Sequence, residues 1–154
     1  MSPESALNNP VLVAALIAWA IAQSVKLPIE YVRNRHWDWS LLLRAGGMPS
    51  SHSALVTAVA HGIGLTDGFT SPLFALGVAM SMIVIYDATG IRRQAGKHAE
   101  IINALVQDLI EGHALRQEQL REVLGHSPME AFVGMVLGLT VAQTVISFWP
   151  LWPV

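Results

Sequence analysis

Apolar residues along this chain gather into four stretches separated by polar segments. The first runs from about Pro10 to Val25, the second from about Ala54 to Leu65, the third from about Pro72 to Tyr86 and the fourth from about Ala131 to Trp152. A helical bilayer crossing needs roughly 20 residues, so the fourth stretch is long enough alone. The other three are shorter. They cross by extending through flanking polar residues inside the protein, or by tilting and thinning the bilayer. The second interrupts its apolar run with His61 and two glycines. Thr66-Asp67-Gly68 followed by Phe69-Thr70-Ser71-Pro72 reads as a compact turn, which makes a helical hairpin of the second and third stretches.

Between the third and fourth stretches the period changes. Ile102, Leu105, Val106, Leu109 and Ile110 recur at the spacing of a helical stripe, with Lys97, Glu100, Gln107, Asp108 and Glu111 on other faces. This predicts a helix packed on the protein or lying on the membrane surface, too polar to be a further span. The expected fold is therefore all-α: a polytopic membrane bundle of about four transmembrane helices plus a cytoplasmic amphipathic helix, in one domain over residues 1–154.

Charge turns the segments into a topology. All nine Lys and Arg lie in the two long loops: Lys26, Arg33, Arg35 and Arg44 in the first, Arg92, Arg93, Lys97, Arg116 and Arg121 in the second. Four crossings put both loops on one side, and the positive-inside rule makes that side cytoplasmic, with both termini outside. Three or five crossings would split the basic residues. Trp149 and Trp152 fit an outer aromatic belt, Trp37 and Trp39 an inner one. Met1 to Asn9 contains Glu4 and no Lys or Arg, unlike the basic start of a cleavable signal. Charged residues are only 13% of the chain against about a quarter in soluble domains, while hydrophobic residues are 53%. The net charge of −2 argues against nucleic acid as a partner. With no cysteine, thiolate chemistry and Cys-based metal sites are excluded.

The chemistry-bearing residues gather at the cytoplasmic starts of two helices. Gly46-Gly47-Met48-Pro49-Ser50-Ser51-His52-Ser53 leads into the second segment. Ser50 or Ser51 can cap that helix, and its first N–H groups with nearby hydroxyls suit an anion. His52 stands beside them as a proton donor or nucleophile. An ordinary N-cap explains the serines equally well. Gly125-His126-Ser127-Pro128-Met129-Glu130 leads into the fourth segment. Ser127, Pro128 and Glu130 form the pattern of a capping box, which leaves His126 unexplained. A carboxylate four residues on could hold one ring nitrogen and fix the tautomer. Cations follow a third pattern: Lys26 and Arg33, and Arg92 and Arg93 after Tyr86-Asp87-Ala88-Thr89-Gly90. Guanidinium suits phosphate, although inside-loop charge also serves topology alone. Asp87 calls for a partner in Arg92 or Arg93. His36, His98 and His113 read as solvated loop residues and His61 as a packed one. No His and carboxylate spacing makes a metal site.

These motifs together resemble the divergent branch of the type-2 phosphatidic acid phosphatase superfamily, related to vanadium-dependent haloperoxidases. The resemblance runs from about Pro10 to the C-terminus, nearly the whole chain, and rests on the Gly46–Ser53, Tyr86–Arg93 and Leu124–Pro128 motifs in order. It implies a metal-independent and cofactor-free reaction in which His126 attacks phosphorus, Glu130 orients it and His52 protonates the leaving alkoxide. It further implies phosphate held by Lys26, Arg33, Ser50 and Ser51, with Arg92 and Arg93 joining them. Some positions depart from the superfamily pattern. Asn34 replaces a proline, Ser51 a glycine and Glu130 an aspartate, and Leu120 stands where an arginine is expected. The implied function is a lipid phosphatase acting on a phosphomonoester headgroup, a phosphatidylglycerophosphate-like lipid favoured, in an inner or plasma membrane of bacterial or plastid type. A non-catalytic binder of anionic lipid is the alternative, a vanadate-dependent oxidase a more distant one, and homo-oligomerisation stays open.

Overall fold

The computed structural model describes residues 8–37, 39, 47–110 and 125–149, and their side chains except at 33, 100, 104, 105 and 107–110. Gly46, Arg44, His113, Arg116, Leu120, Arg121 and Trp152 lie outside the described residues, as do the side chains of Arg33 and of most of the predicted apolar stripe. Every element described is helical.

Helix α1 covers Pro10–Asn34. Asn9 caps it by accepting the Leu12 N–H at 3.0 Å, and Pro10 occupies the first turn, where its missing N–H costs nothing. Arg35 ends it in the left-handed region, φ 56°. Helix α2 spans Ser51–Asp67, α3 Pro72–Tyr86 and α5 Pro128–Phe148. Each starts after a serine cap: Ser50, Ser71 and Ser127.

The region after Tyr86 differs from the expected break. The chain stays helical through a π-turn at Asp87–Ile91 and continues as α4, Arg92–Ile110. In the π-turn the Arg92 N–H donates to the Asp87 carbonyl, five residues back instead of four. A single added residue of this kind carries no compositional signal, so the end of the apolar run at Tyr86 marked the expected end of the helix. Ile101 and Ile102 are exposed.

Among the described residues, three helical stretches are long and apolar enough to cross a membrane: Pro10–Val32, Pro72–Asn103 and Pro128–Phe148. Helix α2, 17 residues long, falls short of that length, and its place in the bundle explains its small, partly polar residues. It packs against α1, α3 and α5 at once. A helix covered on three sides is selected for small size instead of greasiness, and it buries Ser51, Ser53, Ala54, Ala58, Ala60, Gly62 and Gly64. The shared core is likewise built of alanines, 14, 15, 18, 22, 54, 58 and 142, with Val141. Close approach of α5 to α2 depends on Gly134 and Gly138. A Cβ at either would collide with a carbonyl oxygen of α2, Ser50 and Ala54 respectively. By contrast α3 is apolar all round and buries little beyond Gly77 and Ser81, the pattern of a helix facing lipid.

Candidate active site

The starts of α2 and α5 meet at one end of the bundle, bound directly: the Ser50 N–H donates to the Glu130 carbonyl at 3.0 Å. At α5, Ser127 caps the helix and its own N–H donates to the Glu130 carboxylate at 3.0 Å, completing a capping box. The same carboxylate oxygen lies 3.2 Å from His126 Nδ1. The capping box therefore also sets the His126 ring. Backbone fixes it from the other side, because the His126 N–H donates to the Ala88 carbonyl at 2.9 Å. That carbonyl belongs to the π-turn, whose shifted register sends the Arg92 N–H to Asp87 instead. The preceding Gly125 lies against the backbone of Arg92 and Arg93 too closely for any side chain.

His126 is 3% exposed, and its Nε2 is buried with no hydrogen-bond partner among the described residues. A bare buried ring nitrogen costs roughly 1–3 kcal/mol and calls for an explanation. Its ring centroid is 6.1 Å from that of His52, the planes inclined by 59°. His52 lies just before the apolar run of α2, and its side chain faces outward. Burial pushes its pKa below the ordinary histidine value, reinforced by the neighbouring His126, Arg92 and Lys26 and opposed by Asp87.

Lys26 reaches this end of the bundle from α1 and is 4% exposed. Its Nζ donates to Gln23 Oε1 at 2.9 Å, and Ser51 Oγ donates to the same oxygen at 2.6 Å. Gln23 thus ties the cation to the start of α2. Sequence reasoning passed over it, although a polar residue three positions before Lys26 in an apolar run was a usable signal. Ala88 had no such signal, since it acts through its backbone. Ser50 sits differently from Ser51. Its fully buried hydroxyl accepts from Ser53 N at 3.3 Å and from Ser53 Oγ at 3.0 Å, the geometry of a cap. Arg92 pairs with Asp87, Nε to Oδ2 at 2.6 Å, and is one of the charges felt by His52. Arg93 is exposed. His36 and His98 are exposed, and His61 bonds Gln143 Oε1 at 3.0 Å, far along α2. Among the described residues no group of three or more His, Asp or Glu side chains could hold a metal ion.

Two histidines at paired helix starts and a buried lysine from α1 thus stand at one end of a helical membrane bundle. The chain belongs to the Divergent PAP2 family, which matches residues 7–141. It is also 40% identical over 153 residues to an uncharacterized membrane protein of Bacillus subtilis (strain 168), YuiD, covering 92% of this chain and 97% of that one. No solved structure matches it.

Proposed function

We propose that this protein is a membrane lipid phosphatase that hydrolyses a phosphomonoester headgroup on the cytoplasmic face through a phosphohistidine. The observation that carries this reading is the state of His126: one ring nitrogen held by Glu130, the other buried and bare beside His52. A proton on Nδ1, held by the carboxylate, leaves the Nε2 lone pair for phosphorus. Attack forms the N–P bond and breaks the P–O bond to the lipid alcohol, whose oxygen takes a proton from His52. Water then cleaves the N–P bond, with His52 accepting its proton, and releases phosphate. Negative charge on the transferring group is met by Lys26, the N–H groups opening α2, the Ser51 hydroxyl once turned from Gln23 and Arg92 once released from Asp87. Arg33 completes the cationic set by its place seven residues after Lys26. Ser50 supports the site as a cap.

The same reading takes α2 as a fourth crossing, with both termini outside, and favours a phosphatidylglycerophosphate-like substrate over phosphatidate and polyprenyl phosphates. Purified full-length protein in lipid micelles should release phosphate and, with a labelled substrate, trap an acid-labile phosphoenzyme that His126→Ala lacks. Full activity in that variant would end the proposal. The absence of cysteine makes the topology directly readable. A single cysteine at Asp67 should react with an impermeant reagent from outside, and one at Gln94 should not.

The alternative, a non-catalytic binder of anionic lipid, draws on Leu120 standing where the superfamily has arginine. Lipid binding that survives His126→Ala, with no turnover across a phospholipid panel, selects it.

A further inference from the structure

A cavity of ≈ 190 Å³ opens beside Lys26, between the end of α1 and the start of α5. Its charged walls are Lys26, Glu30 and Glu130, and its apolar ones include Ile29, Met48 and Met129. Glu130 is engaged by His126 and Ser127. Glu30 is not part of that machinery. It lies one turn beyond Lys26 on α1, about 6 Å further along the axis. It is half-buried, and one of its carboxylate oxygens accepts from the Asn34 amide. A carboxylate offers about four acceptor positions, so Glu30 keeps capacity toward the cavity. Met48 and Met129, 38% and 64% exposed, form an apolar lip. Unbranched, adaptable methionines suit a passing hydrocarbon chain.

Resting on the phosphatase reading, we propose that this cavity receives the alcohol part of the phosphomonoester, and that Glu30 selects an alcohol with a free hydroxyl beside the ester carbon. Phosphate next to Lys26 places that alcohol within reach of the Glu30 carboxylate. A hydroxyl donates to it; a second phosphate, as in a diphosphate, meets like charge from both Glu30 and Glu130. A site built around such a hydrogen bond disfavours the analogue lacking the hydroxyl, because the acceptor facing the cavity then loses its match there.

The test reads binding, without turnover, on the full-length protein in micelles. Three non-hydrolysable phosphonate probes displace a fluorescent lipid: the analogue of 1-acyl-glycerol 3-phosphate, its 2-deoxy counterpart and a prenyl diphosphonate. The wild type should bind the hydroxylated probe about tenfold tighter than the deoxy probe. Glu30→Ala should bring the two within about twofold, and Glu30→Lys should tighten the diphosphonate about tenfold. Far-ultraviolet dichroism checks that each variant is folded. Unchanged ratios in both variants overturn the assignment, whether or not the protein is a phosphatase. A Glu30-dependent preference in a protein that releases phosphate from no ester supports the cavity's role and overturns the phosphatase reading instead.

Discussion

The starts of α2 and α5 are built alike and treat their histidines in opposite ways. Each helix begins after a serine whose hydroxyl accepts the N–H three residues on. In α5 the histidine precedes the cap. It is therefore outside the helix, reachable by the Glu130 side chain and by the Ala88 carbonyl, and it is buried and held at two points. In α2 the histidine follows the cap and projects from the first turn, exposed and without a hydrogen bond to its ring among the described residues. On the proposed mechanism, a cap is a tool of chemistry as well as of helix stability. A ring that must attack along one direction benefits from being fixed. A ring that must give and take protons benefits from freedom and access to water.

Perturbations that distinguish the two rings should separate their roles. The largest effect is expected from His126→Ala, a loss of at least about a thousandfold in kcat with no phosphoenzyme in single-turnover labelling. Glu130→Gln comes next. Glutamine still accepts from the Ser127 N–H, so thermal stability should hold, yet kcat should fall by about a thousandfold because the ring tautomer is no longer set by a charge. His52→Ala should cost about a hundredfold on lipid esters and far less on p-nitrophenyl phosphate, whose leaving group needs no proton. A milder test uses pH. Burial and then neighbouring positive charge hold the His52 pKa low, so its protonated form disappears at a lower pH than for a free histidine. The kcat/KM profile should accordingly fall on its alkaline side below the usual histidine range. Asp87→Asn, which removes the charge opposing that shift, should move this limb further toward acid. The smallest effect is expected from Ser127→Ala, about 1 kcal/mol in unfolding free energy, read in urea-containing micelles.

Much of the site's skeleton could be read from residue spacing. The i, i+4 interval predicted that a carboxylate could hold His126, and Glu130 lies 3.2 Å from Nδ1. The Ser127, Pro128 and Glu130 pattern predicted the capping box found there. Membership of the divergent phosphatidic acid phosphatase branch was legible from three motifs in order. What escaped was long-range or carried by backbone. Gln23 meets Ser51 across 28 residues, a contact no local period encodes. The π-turn depends on one extra residue in a helix, so its effect, lending the Ala88 carbonyl to His126, leaves no side-chain signature. The central position of α2 was hidden for a related reason. Its small residues look like weak hydrophobicity in sequence, and only packing against three neighbours gives them their meaning.

The bond between Ser50 and Glu130 also bears on how the protein comes into being. It joins the second helix to the last one described, and Lys26 joins through Gln23 from the first. Synthesis delivers these pieces one after another into a bilayer full of phospholipid. Until α5 docks, the Ser50 to Glu130 bond is unmade and the site proposed above is unassembled. On the proposed function, docking of α5, drawn close by Gly134 and Gly138, would be the event that switches the protein on. Activity would report completed insertion, and half-inserted chains would leave the surrounding lipids untouched.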